Sequence, residues 1–281
     1  MKITEQSLRE LRDFEAAGAR VEEVVREAMK TRLGLIRFLA RYAAWNGLFG
    51  SGVALLAAEI GRSQHLFHEE GFPTPLADRS VLVASYFFDA ARDEFDDRDT
   101  EHRDTHRCLA QATIAGLVEL SKDAHPELQS DEALTKFLHY PLWLQSLRYR
   151  VAAGYGGGNP DDHGGIFRAI GYHLGSELLA DQEFSVIDRT LRGVDASLVE
   201  TLKNKTITIA GQPHNCYQWI GIHSGHGGGA EADHFAWAVE GADLAFRFVP
   251  SDLHAELRRE LNEGYLEFAR DHDGFFDRVL E

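Results

Sequence analysis

The sequence predicts an all-α protein, a single-domain helical bundle of seven or more helices. Apolar residues recur with the helical period of about 3.6 residues over most of the chain. Strand-type alternation is confined to the segment KTITIAG at 205–211, which is too short to found a sheet without a partner strand. Breaks rich in glycine or proline at 71–75, 154–162 and 211–213 separate helical stretches without a long linker.

The predicted helical segments run over residues 5–30, 31–62, 75–121, 131–152, 164–191, 214–248 and 251–280. A chain of 281 residues buries enough surface on folding to form a core without metal or disulfide staples. We therefore expect one domain over residues 1–281, in which an N-terminal helix at 5–30 packs on a core bundle of about 31–280.

Composition and charge exclude several classes of function. The chain carries 45 acidic and 29 basic residues, and its net charge of −16 repels phosphate backbones and anionic lipid. Its most apolar stretch, at 33–60, is interrupted by two arginines and an asparagine, so we expect no membrane span. Two cysteines, Cys108 and Cys216, make no disulfide framework, and the N-terminus lacks the layout of a signal peptide. We expect a cytoplasmic protein whose partners are a small-molecule substrate and at most a second copy of the chain.

Histidines are unusually frequent, 14 in all, and the sixth predicted segment holds a cluster of them. On one continuous helix, His223, His226, Glu231 and His234 would share a stripe. The Glu-x-x-His spacing is the one that holds two irons or manganeses inside helical bundles. Glycines 227–229 interrupt the helix, so a local bulge would aim either His223 or His226 at the same point. The alternative is a set of hydrogen-bonded core histidines.

The fifth predicted segment carries His173, Glu177 and Asp181 at intervals of four residues, among apolar residues typical of a core. This stripe favours Glu177 as a metal ligand. The alternative is that Glu177 and Asp181 face water, as acidic residues do on any amphipathic helix.

Acidic and imidazole residues also crowd into the middle of the third predicted segment. If this segment is one straight helix, Asp99, His102 and His106 lie on its apolar face, and Asp99 and His106 are the candidate ligands. If the acidic run 96–99 is a break, Glu94 and His106 belong to different helices and can converge. The remaining alternative is a solvated run of charges.

Together the three segments resemble the haem-oxygenase-like di-iron oxidases and oxygenases, iron-containing redox enzymes whose superfamily also holds thiaminase-like and pyrroloquinoline-quinone-synthase-like helical proteins. The pattern of that family is a Glu and a His on a first core helix, a Glu on a second, and His-x-x-x-Asp-x-x-His on a third. The similarity covers roughly residues 35–280 and implies a haem-oxygenase-like helical bundle. The metal ligands that it implies are Glu94, His106, Glu177, His223, Glu231 and His234.

The chain departs from this family pattern in its third run and in its first pair. Gly227 stands where the pattern has its first histidine of the third run, so His226 remains a rival of His223. Glu231 stands where aspartate is commoner. The first pair is also widely spaced, which leaves Asp99 and His102 as rivals of Glu94 and His106.

The resemblance implies a non-haem di-iron enzyme that uses two Fe(II) ions, with O2 as co-substrate. Its substrate would be a small amino-acid-like or fatty-acid-like metabolite in biosynthesis, and the outcome would be N-oxygenation, desaturation or oxidative C–C cleavage. Carboxylates and imidazoles suit iron, with manganese as the alternative, better than they suit zinc held by thiolates. A charged group of the substrate is expected to meet Arg148, Arg150 or Arg168.

Two alternatives belong to other functional classes. A metal-free enzyme of the thiaminase-like or quinone-synthase-like type would use Cys216, Tyr217 and Glu177 for acid–base chemistry. A non-catalytic binding bundle would contain inert histidines. The detection of bound iron would distinguish the di-iron enzyme from both of these alternatives.

Overall fold

The computed structural model of the protein describes residues 2–97, 104–156, 162–225 and 230–281, with the backbone alone for 230–232. The first seven helices are α1 (Glu5–Arg9), α2 (Phe14–Ala28), α3 (Arg32–Asn46), α4 (Phe49–Arg62), α5 (Thr74–Ala77), α6 (Ser80–Phe95) and α7 (His106–Ser121). The next seven are α8 (Asp131–Phe137), α9 (Leu142–Gly154), α10 (His163–Val194), α11 (Ala196–Lys203), α12 (Gln218–His223), α13 (Ala230–Arg247) and α14 (His254–Phe276). Short 3-10 turns lie at Pro126–Leu128 and Ser251–Leu253.

The prediction of an all-α bundle is confirmed. Within the described residues the strands are β1 (Thr206–Ile209) and β2 (Gln212–Asn215), which form one antiparallel hairpin. Its two-residue turn places Ala210 and Gly211 at φ values of 53° and 84°, as hairpin turns require. The segment 205–211 thus has a partner strand, contrary to expectation. The sequence hides that partner because it is short, polar and contains a proline.

Five of the predicted helical segments, 5–30, 31–62, 75–121, 131–152 and 214–248, are divided in the structure. In the first of them, the Asp13 side chain accepts a hydrogen bond from the backbone N–H of Ala16 and caps the start of α2. In the third, α6 ends at Phe95 and α7 begins at His106. Apolar residues recur on both sides of each break, so the helical period alone does not locate the ends of the helices.

Helix α10 is the central helix of the bundle and packs against α14, α13, α2 and α4. Its approach to α14 is close, because a Cβ atom on Gly171 would collide with the carbonyl oxygen of Leu261. A Cβ atom on Gly264 would collide with the carbonyl oxygen of Arg168 in the same way. These two glycines let the two backbones touch, which fixes the orientation of α10 in the bundle.

One segment, Arg32–Arg62, is long and apolar enough to cross a membrane by length and composition alone. It comprises α3 and α4, and 61% of its most apolar window is buried inside the protein. The core helices of soluble proteins have the same properties, so this segment is weak evidence for a membrane span.

The packing of α10 on α14 predicts opposite effects for two glycine substitutions on α10. Gly171→Ala should lower the free energy of unfolding by about 1–3 kcal/mol, because the added methyl group forces the two backbones apart. Gly193→Ala is the matched control, since a Cβ atom there meets nothing within 4 Å, and it should raise stability by roughly 0.5–1 kcal/mol. Urea unfolding followed by circular dichroism measures both. Equal effects of the two substitutions would contradict the close approach.

Candidate metal centre

Ionisable side chains from five helices meet in the interior of the bundle, around α10. Glu94 is half-buried, with 19% of its side chain exposed, and the others are buried. The eight residues are Asp93, Glu94 and Asp97 at the end of α6, His106 at the start of α7, His173 and Glu177 on α10, His223 at the end of α12, and His234 on α13.

The first part of this cluster is centred on His106. Its Nδ1 atom lies 3.0 Å from Oε1 of Glu94 and 3.1 Å from Nε2 of His223. Ligand atoms that bind one cation at about 2.1 Å and at right angles to each other lie roughly 3 Å apart. Both distances from Nδ1 of His106 are therefore those of neighbouring ligands to one ion. His106 also belongs, with Asp93 and Asp97, to a group of described residues whose ligand atoms all lie within 4.8 Å of one another.

The outward ring nitrogens of the same two histidines are also hydrogen-bonded. Nδ1 of His223 donates to the carbonyl oxygen of Trp219 at 2.5 Å, which leaves Nε2 with its lone pair toward the cluster. Nε2 of His106 lies 2.9 Å from Oδ2 of Asp97. Partners of this kind orient histidines that bind metals and set their tautomers.

The second part of the cluster is centred on Glu177. Its Oε2 atom lies 3.5 Å from Nδ1 of His234, and its Oε1 atom lies 3.2 Å from Nδ1 of His173. The outward Nε2 atom of His234 lies 2.9 Å from Oδ2 of Asp93. Asp93 therefore has the same relation to His234 that Asp97, four residues later and just beyond the end of α6, has to His106.

His173 provides a test of whether a metal fits this cluster. Its side chain is fully buried, and neither ring nitrogen makes an aligned hydrogen bond with a described residue. A buried imidazole without a hydrogen bond costs free energy, and a cation would supply the partner that the described residues do not. Imidazole nitrogens mixed with carboxylate oxygens are a donor set for iron or manganese. The residues present thus fit a metal centre.

Burial and neighbouring charges move the pKa values of these histidines in opposite directions. Burial lowers the pKa of His106, but the Glu94 and Asp97 carboxylates outweigh this effect and raise it to about 9. Burial lowers the pKa of His173, and burial together with the nearby His106 lowers that of His223 well below its ordinary value. His173 and His223 are therefore neutral at pH 7, as metal ligands must be.

The break between α6 and α7 brings Glu94 and His106 together. The backbone N–H of Asp97 donates to the carbonyl oxygen of Asp104 at 2.8 Å, which closes the base of the connection. The Thr105 side chain then caps α7 by accepting a hydrogen bond from the N–H of Cys108. The sequence left open whether the acidic run lies within one straight helix or at a break between two helices, and the structure has the break.

Five of the six ligands implied by the resemblance come together in the structure. They are Glu94, His106, Glu177, His223 and His234. The sixth, Glu231, lies in the first turn of α13, where only the backbone is described. The rivals His226, Asp99 and His102 lie outside the described residues.

The expected stripe on one helix is wrong, because α12 ends at His223 and α13 begins at Ala230. His223 and His234 reach the cluster from two separate helices. Asp181, the third member of the α10 stripe, is half-buried and lies near Glu5 and Arg9 of α1, away from the cluster.

Sequence reasoning missed Asp93 and Asp97 as partners of the cluster. Their spacing of four residues is a signal, but the neighbouring acidic residues make it indistinguishable from a solvated run of charges.

The residues named for metal-free chemistry do not gather around Glu177. The Tyr217 hydroxyl donates a hydrogen bond to Asp188 at 2.7 Å, and Cys216 packs against Gly116 of α7.

A cavity of about 280 Å³ borders the cluster, and Glu94, His106, Glu177 and His223 are among its lining residues. A larger cavity of about 760 Å³ is lined by Arg150 and Arg168 and by none of the eight cluster residues. These two arginines pair with Asp271 and Glu267, respectively. The smaller cavity, which we call the cluster cavity, is thus the one next to the candidate chemistry.

A comparison with protein-family models finds no match, and a comparison with curated proteins finds none. The fold is similar to the solved structure of a TenA homolog from Pseudomonas syringae pv. tomato strain DC3000, with a TM-score of 0.51 over 98% of this chain and 91% of that chain. The two sequences are 15% identical. At this identity the similarity shows a shared haem-oxygenase-like helical fold and nothing about substrate.

The raised pKa of His106 predicts how the stability of the metal-free protein depends on pH. The folded-state pKa of about 9 exceeds the ordinary value of 6.5, so the stabilising contribution is complete below about pH 6.5 and is lost as the pH rises through 9. The free energy of unfolding of chelator-treated protein should therefore fall over this range. In the His106→Gln variant, the free energy of unfolding should lack the part of this decrease that comes from His106. Urea unfolding at several pH values measures both proteins, and identical pH profiles would contradict the assignment.

Proposed function

We propose that the protein is a non-haem di-metal enzyme that binds two Fe(II) ions in the buried cluster and uses O2 to oxidise a small molecule. One observation carries the proposal: carboxylates and imidazoles converge in the interior, and the outward ring nitrogens of His106, His223 and His234 are all hydrogen-bonded. Histidines that bind a metal through one ring nitrogen are held and oriented in this way through the other.

The two parts of the cluster would each hold one ion. Glu94, His106 and His223 would hold the first. Glu177 and His234 would hold the second, with His173 supplying a further nitrogen. Because the pKa of His106 is raised to about 9, its Nδ1 atom would carry a proton toward Glu94 and His223 in the metal-free protein, and metal binding would displace this proton.

When bound, the two ferrous ions would supply two of the electrons that reduce O2, and the bound substrate would supply the other two as it is oxidised. The chain's own residues have other tasks. Asp97 accepts the hydrogen bond from Nε2 of His106 and fixes the direction of its Nδ1 atom. Phe184 stacks on His223 with ring centroids 4.4 Å apart and, with Trp219, lines the cluster cavity. These aromatic rings keep water away from the reacting groups.

A second candidate function is a metal-free enzyme on the same fold. The similarity to a TenA homolog supports it at the level of the fold. In this case His106, protonated at neutral pH and lining the cluster cavity, would act as a general acid with Asp97 as its partner. The two candidates differ in one measurable quantity, the metal content of the protein.

The di-metal proposal predicts the iron content of single variants reconstituted with Fe(II) without oxygen. The parent should bind two irons per chain. His223→Ala, His234→Ala and Glu177→Gln should each bind at least one iron fewer, because each removes a ligand atom from a small set. Metal analysis after desalting measures the stoichiometry, and circular dichroism verifies the fold.

His254→Ala is the matched control for these variants. Nε2 of His254 lies 3.3 Å from the carbonyl oxygen of Val249, at the start of α14, and the residue contacts none of the cluster. This variant should retain two irons. A parent without iron, or cluster variants with the iron content of the parent, would overturn the di-metal proposal and favour acid–base chemistry.

A further inference from the structure

We propose that the cluster cavity binds a small monocarboxylic acid, with Arg107 pairing with the carboxylate of that acid. Arg107 is exposed and lines this cavity, so its guanidinium group borders both the solvent and the space that leads to the cluster. Arginine pairs with carboxylates through two parallel hydrogen bonds and retains its charge at all physiological pH values. That this acid is the substrate rests on the proposed function.

Arg107 is available for a ligand. It forms no ion pair with a residue that the structure describes, whereas Arg150 and Arg168, at the other large cavity, are held by Asp271 and Glu267. The guanidinium group of Arg107 fits beside Gly47 because glycine has no side chain. A Cβ atom on Gly47 would collide with Nη1 of Arg107. A guanidinium group that lies beside a cavity and forms no ion pair with a described residue favours an anionic ligand at that place, against the net negative charge of the rest of the chain.

The residues that line the cavity indicate the chemical nature of the acid beyond its carboxylate. Phe49, Phe184 and Trp219 contribute aromatic surface, and Asn46 contributes an amide. Glu94 and Glu177 also line the cavity and would repel a carboxylate placed deep inside it. The carboxylate therefore belongs at Arg107 and the apolar body points toward the cluster. A volume of about 280 Å³ suits a compact body such as one aromatic ring with a short chain.

A second cavity of about 350 Å³ shares Ala43, Arg107 and Ala110 with the cluster cavity. Its walls are largely apolar and include Ile114, which does not line the cluster cavity. An acid paired with Arg107 could extend into either space. The aromatic walls and the proximity to the cluster favour the cluster cavity, and a filling substitution at Ile114 separates the two positions.

The probe is 3-phenylpropionate, and the neutral 3-phenylpropionamide is its control. Isothermal titration calorimetry should show that Arg107→Gln weakens binding of the acid by at least ~10-fold, as expected when a hydrogen-bonded charge is lost. The amide should bind the parent more weakly than the acid does, and Arg107→Gln should not change its affinity. Arg62→Gln, an exposed arginine outside both cavities, should leave the affinity for the acid unchanged. Ile114→Phe should leave it unchanged as well.

Two results would overturn the proposal. Equal affinity of the acid for the parent and for Arg107→Gln would show that another group, such as a bound metal, holds the carboxylate. Loss of acid binding in Ile114→Phe would place the ligand in the second cavity. The iron content of Arg107→Gln should equal that of the parent, since Arg107 is not a ligand. The two proposals can therefore fail separately. If the parent binds no iron but still binds the acid through Arg107, the di-metal function is refuted and the acid-binding site is supported.

Discussion

The burial of carboxylates beside imidazoles at the centre of the bundle is the interaction on which the rest of the structure depends. Isolated charges in this interior would cost several kcal/mol each, so every group requires a partner or a cation. The structure supplies partners on the outward side, where Asp97 and Asp93 contact His106 and His234. On the inward side the ring nitrogens and carboxylate oxygens face one another. Cations would give these inward-facing atoms the partners they need, and His173 is the clearest case, because no described residue makes an aligned hydrogen bond with its ring nitrogens.

Most residues of this cluster lie at or near the ends of helices. Glu94 lies one residue before the end of α6, His106 is the first residue of α7, and His223 is the last residue of α12. Only His173, Glu177 and His234 come from the interiors of helices. Side chains at helix ends can converge from different directions, which a single stripe cannot achieve. The close glycine contacts of α10 with α14 hold the central helix against which these ends are arranged.

The fold class could be predicted from helical periodicity, because apolar stripes and the near absence of strand alternation are properties of the sequence itself. The candidacy of Glu177 followed from a polar residue within an apolar stripe on one continuous helix. The positions of His223 and His234 on separate helices were not predicted, because glycines 227–229 indicate an interruption of the helix but do not show whether the helix bulges or ends there. The roles of Asp93 and Asp97 depend on contacts with α13 and α7. Such contacts between distant segments leave no local signal in an acidic run.

The most direct test of the central claim is crystallographic. Crystals grown or soaked with Fe(II) under anaerobic conditions should give two anomalous difference peaks measured at the iron absorption edge. One peak should lie beside Glu94, His106 and His223, and the other beside Glu177 and His234. The absence of both peaks from the cluster, in crystals that contain Fe(II) in the solvent, would contradict the account and leave His106 as the general acid of a metal-free enzyme.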